Sequence, residues 1–76
     1  MRVVYHVVYA SGDDQWMVER ERLRRPVVRT GTKEEAVAAA RALGRVERLS
    51  QVVIHREDGS IERQFTCGAD PRHIPG

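Results

Sequence analysis

From Thr30 to Arg45 the chain reads TGTKEEAVAAARALGR, and this is its one segment with the composition and period of a substantial helix. Thr32 and Glu35 have capping-box spacing, in which side chains satisfy free backbone N–H groups at a helix start. Glu34 and Glu35 sit where the helix dipole favours negative charge, and Arg41 lies near the end where it favours positive charge. Gly44 is expected to take the left-handed conformation that closes many helices. Ala36, Ala39, Ala40 and Leu43 form one stripe, with Glu34, Ala38, Arg41 and Arg45 opposite. A single helix must bury such a stripe against something else. Methyl groups let it lie close to a sheet that presents large side chains, so the helix demands a sheet.

The remaining segments supply one. RVVYHVVYA is rich in β-branched and aromatic residues, SGDD supplies turn residues, and QWMVERE resumes the alternation, as in a hairpin. Pairing Ala10 with Gln15 across a four-residue loop puts Tyr9 beside Trp16 and Val7 beside Val18. One face then carries Val3, Tyr5, Val7, Tyr9, Trp16 and Val18, and this is the expected partner of the alanine stripe. The other carries Val4, His6, Val8 and Met17, with Glu19 opposite His6. Val27 to Thr30 reads as a short third strand, and Pro26, with no N–H to donate, belongs at a strand start or an edge. SQVVIHREDGSIERQFT reads as a second hairpin turning at Asp58-Gly59. In it the unbroken Val52-Val53-Ile54 run suits a central strand buried on both faces. The expected fold is α+β, in the order β-β-β-α-β-β: one mostly antiparallel sheet of about four or five strands with a single helix on one face. Residues 2–66 form the expected domain and residues 67–76, with two prolines and two glycines, a mobile tail. The predicted core is Tyr5, Val7, Tyr9, Trp16, Val18, Ala36, Ala40, Leu43 and Val53.

A chain of 76 residues hides only about 60% of the surface that its unfolded form exposes, so a second copy is a natural source of added stability. Its net charge of +2 is unevenly spread. Between Glu19 and Arg29 five arginines face two glutamates, a local excess of +3, which leaves −1 for the rest. Cys67 is the only cysteine, so no intrachain disulfide forms, and a reducing, cytoplasmic setting is expected. The opening MRVVYHVVYA lacks a signal-peptide cleavage pattern, and no stretch approaches the roughly 20 apolar residues that cross a bilayer.

YHVV at 5–8, Trp16, TKEEAVAAAR at 32–41, VIHREDGSI at 53–61 and DP at 70–71, in this order and spacing, resemble a family of short bacterial proteins, domain of unknown function 2188. The resemblance runs from Tyr5 to Pro71. It implies a compact α+β domain and brings no catalytic residues with it. Members tend to have a glycine-containing turn after the tryptophan strand; here RERLRRP puts arginines and Leu23 in its place.

The chemistry on offer is sparse. Arg20, Arg22, Arg24, Arg25 and Arg29 offer planar forks that match phosphate oxygens, which makes weak, sequence-tolerant nucleic-acid binding one reading. The interleaved Glu19 and Glu21 favour a solvated, aggregation-resistant edge instead. Tyr5, Tyr9 and Trp16 could stack unpaired bases, but not while buried under the helix. Cys67 and His73 lack zinc spacing, no local motif puts a base beside Cys67, and His6 and His55 read as structural histidines, His6 bonded to Glu19 across the hairpin. SGDD and EDGS are acidic hairpin turns rather than phosphate loops, and one helix cannot make a helix-turn-helix. The expectation is a non-enzymatic binding or interaction module with no cofactor, no metal and no membrane. Its expected partner is a second copy, met through the Val4/Val8/Met17 face or a free edge, or another protein; nucleic acid is the alternative.

Overall fold

A computed structural model describes residues 3–23, 25–47 and 49–67. In chain order these form β1 (Val3–Ala10), β2 (Gln15–Arg20), β3 (Pro26–Thr30), α1 (Lys33–Val46), β4 (Ser50–His55) and β5 (Ile61–Cys67). The strands make one sheet in the order β3-β2-β1-β4-β5. Three of its pairings are antiparallel, and β1 with β4 is parallel because the helix lies in the connection between the two halves. The fold is thus α+β with a mostly antiparallel sheet. β1 is the central strand; β4 is internal, flanked by β1 and β5.

The first hairpin pairs Ala10 with Gln15, Tyr9 with Trp16 and Val7 with Val18. Its turn closes with the Asp13 N–H donating to the Ala10 carbonyl at 3.2 Å, and Asp14, at φ 52°, takes the left-handed conformation. Asp tolerates that region because its short polar side chain bonds locally; here Oδ1 accepts from the Tyr9 hydroxyl at 2.5 Å. In the second hairpin only Gly59 needs positive φ, at 94°. Gly59 N–H donates to Arg56 O at 2.9 Å and Arg56 N–H to Ser60 O at 2.7 Å, the pattern of a three-residue loop with a glycine bulge.

Thr32 caps α1 with extended backbone, its Oγ1 accepting from the Glu35 N–H at 3.1 Å. The helix continues through Gly44 to Val46 and is capped by Glu47, so Gly44 does not close it. Gly44 is there for closeness. A Cβ at this position would lie 2.8 Å from Ser50 Oγ and 3.0 Å from Cys67 Cβ, so only a bare backbone lets the last turn reach the sheet. The fully buried Ser50 hydroxyl donates to the Gly44 carbonyl at 3.0 Å, which stitches helix to strand. Cys67 is the half-buried last residue of β5, opposite Ser50, rather than the first of a tail; residues 68–76 lie outside the described residues.

Tyr5, Val7, Trp16, Val18, Ala36, Ala40, Val52 and Ile54 form the buried cluster between helix and sheet. Tyr9 and Leu43 are half-buried and pack against it. Trp16 is 8% exposed, with its ring 5.2 Å from that of Tyr9 and Lys33 Nζ 5.7 Å from its centroid. Val53 is also buried, at 5% exposure, but it belongs to the other side of the sheet, in register with His6 and Gln64.

Candidate interaction face

Strand alternation puts Val4, His6 and Val8 of β1, Met17 and Glu19 of β2, and Val53 and His55 of β4 on the face turned away from α1. No described helix or strand lies over it. All of these residues but Val53 are partly accessible. The centre is apolar and the surround polar, with Gln51 donating to Gln64 at 2.5 Å on one side and Arg29 on the other.

A chain of hydrogen-bonding groups crosses this face. His6 Nε2 lies 3.0 Å from Glu21 Oε1, His6 Nδ1 lies 2.9 Å from His55 Nε2, and His55 Nδ1 lies 3.0 Å from the Gly59 carbonyl. The partner of His6 is therefore Glu21 rather than Glu19. Glu19 is opposite His6 in register, but Glu21, two residues on and in phase with it, is still tied to β1 by its N–H donating to the Val4 carbonyl at 2.8 Å, and its carboxylate reaches back to His6. Sequence reasoning did not bring His55 to His6, because that contact depends on the parallel pairing of β1 with β4, and no local signal announces it.

Arg20 and Arg29 lie on opposite sides of the sheet. Arg20 ends β2 in phase with Trp16 and Val18, on the helix side, near enough to Tyr5 for its charge to act on the phenol. Arg29 is paired with Met17, on the helix-free side, and lies 3.5 Å from Asp13. Arg22, in the turn at φ 84°, and Arg25 are exposed. Arg24 lies outside the described residues.

Elsewhere the polar groups serve the fold. Burial, then the charge of Glu47, raises the Tyr5 phenol above its ordinary value, and the bond to Asp14 chiefly raises that of Tyr9. The Ser60 hydroxyl lowers the Asp58 carboxyl, and Lys33 lowers that of Glu62, its ion-pair partner. Two shallow hollows, about 430 and 310 Å³, flank the Lys33–Glu62 pair and contain charged side chains of both signs.

The family model for uncharacterized proteins conserved in bacteria, domain of unknown function 2188, matches residues 5–67. The chain belongs to this family. No curated protein and no solved structure matches it. Within the domain of unknown function 2188 family, then, this chain has a five-stranded α+β fold with one sheet face covered by α1 and the other covered by no described helix or strand. No described helix is long and apolar enough to cross a membrane.

Proposed function

We propose that this domain is a non-enzymatic interaction module that associates with a second copy of itself through the helix-free face of its sheet. The observation that carries this is the asymmetry of the sheet: Val4, Val8, Met17 and Val53 lie on a side that α1 does not cover. Five strands about 4.8 Å apart and about six residues long present a footprint of roughly 500 Å², so two copies face to face bury on the order of 1,000 Å². That is the lower bound for a specific interface, so the association is weak. Two features favour a like partner. The face carries both Glu19 and Arg29, which a two-fold arrangement can pair reciprocally, and a net charge of +2 opposes the approach of two copies little.

Sedimentation velocity over a wide dilution series tests the reading. The expected result is a reversible monomer–dimer equilibrium that Val8→Lys and Met17→Lys both shift to monomer with an unchanged circular dichroism spectrum. A monomer at every concentration would refute it. The alternative is nucleic-acid binding through the arginine-rich turn, supported by the exposure of Arg22 and Arg25. It predicts low-salt binding that collapses as salt rises and in Arg22/Arg24/Arg25→Ala. The division of Arg20 and Arg29 between opposite sides favours the first reading.

A further inference from the structure

Three contacts cross the helix-free face in a line: Glu21 to His6 Nε2 at 3.0 Å, His6 Nδ1 to His55 Nε2 at 2.9 Å, and His55 Nδ1 to the Gly59 carbonyl at 3.0 Å. The ring centroids are 5.2 Å apart, so the inner nitrogens meet head-on, as the donor and acceptor of a hydrogen bond do. Each contact needs one proton. The Gly59 carbonyl can only accept, so one proton lies on His55 Nδ1. A Glu21 carboxylate can only accept, so a second lies on His6 Nε2. Two neutral imidazoles carry one N–H each, and both are now spent. The inner contact therefore takes one proton more. The count is the same if that proton is written on Glu21 and the ring hydrogens are shifted along the line. Beyond it there is no room, because two N–H groups would then face each other.

We propose that His6 and His55 form a proton-binding site that takes up a single proton between its rings, and that this proton strengthens self-association through the face they share. The second half rests on the self-association reading above. With both rings neutral, the Glu21 carboxylate has no counter-charge in the line; with the proton in place, the line is neutral. The charged groups around it do not change that balance. Glu19, opposite His6 on β2, is also negative. Arg29 on β3 lies 3.5 Å from Asp13. In the turn after β4, Arg56 donates to the Ile61 carbonyl at 3.0 Å and is followed by the acidic Glu57 and Asp58. Ile61 and Gln64, the β5 partners of His55 and Val53, carry no charge. The His6 side chain is 26% exposed and that of Glu21 55%, so water reaches both in a single chain. A second copy laid on the face removes that water, which costs an unbalanced carboxylate more than a balanced pair. Association is therefore tighter on the acid side of the range in which histidine charges, and weaker as the pH rises through it.

The test joins ring-nitrogen NMR of the ¹⁵N-labelled chain to sedimentation velocity, both followed from about pH 5 to about pH 9. The expected spectrum has His6 Nε2 and His55 Nδ1 protonated and one proton shared by the inner pair, which is released as the pH rises. The expected dissociation constant increases at least about tenfold from about pH 6 to about pH 8. Glu21→Gln is the discriminating variant: its amide can donate to His6 Nε2, so the line closes with the two protons of neutral rings. That variant should associate at about pH 8 as tightly as the parent does at about pH 6. The His6→Gln/His55→Gln chain should associate with no pH dependence, although it keeps His73. Rings that titrate as two independent histidines, with no inner hydrogen bond, would overturn the proton site. A parent chain that associates equally at every pH, or a pH dependence that survives in His6→Gln/His55→Gln, would overturn the coupling and leave self-association standing. A parent chain that holds the shared proton but never associates would instead remove the self-association reading, and the coupling with it.

Discussion

Replacing Gly44 with alanine tests how closely the helix is docked, because two opposing effects of known size meet there. In a solvated helix interior the change stabilises by about 0.5–1 kcal/mol, since glycine loses more freedom on folding. Here the new methyl would sit 2.8 Å from Ser50 Oγ and 3.0 Å from Cys67 Cβ, both inside van der Waals contact. Neither neighbour is a flexible tip that can swing away, and overpacking of this kind costs about 1–3 kcal/mol. Displacing the buried Ser50 hydroxyl from the Gly44 carbonyl adds the cost of an unsatisfied group, about 1–3 kcal/mol. The clash wins, with a net loss of roughly 1–3 kcal/mol from a domain whose total stability is on the order of 4–11 kcal/mol. Urea and thermal unfolding followed by the fluorescence of Trp16, the single tryptophan, measure it; the melting temperature should fall by about 5–20 °C. Coupling is the sharper readout: in a Ser50→Ala background, where one of the two contacts is gone, Gly44→Ala should cost less. A Gly44→Ala chain more stable than the parent would refute the close approach of helix and sheet.

Three further outcomes follow from the same structure. Val7→Ala, at a fully buried position between sheet and helix, should destabilise by about 2–3 kcal/mol in the same unfolding assay. Thr32→Ala should lose about 1 kcal/mol, with Thr32→Gly losing only a few tenths, because glycine, though it also lacks the cap oxygen, takes the non-helical cap conformation readily and leaves the free N–H groups open to water. Folded-state pKa values lowered at Asp58 by Ser60 and at Glu62 by Lys33 contribute stability that is present above the ordinary carboxylate range. That stability is lost as pH falls through the depressed values; the urea midpoint should decline on acidification below about pH 4, and less steeply in Glu62→Gln.

Much of the fold was legible because its signals are local. The first hairpin's register follows from a polar four-residue turn between two alternating runs, and the helix start from Thr32 and Glu35. What was not legible depends on contacts between distant segments. The strand order rests on β1 pairing with β4, 47 positions away, and without it His6 and His55 cannot be brought together. Gly44 was misread for the same reason: a glycine near a helix end suits a left-handed cap equally well until the neighbours that exclude a Cβ, Ser50 and Cys67, are in place. The arginines were legible as a charged turn. That Arg20 and Arg29 fall on opposite sides became clear only once β2 and β3 were in register.

A working surface on the sheet face opposite α1 can be examined atom by atom in one spectrum. In a mixture of isotope-labelled and unlabelled chains, isotope-filtered NOEs report only contacts between copies. The methyl groups of Val4, Val8 and Met17 should show them. Contacts confined to the exposed edge residues Val27 and Ile61, or none at concentrations where the chain is associated, would contradict the account.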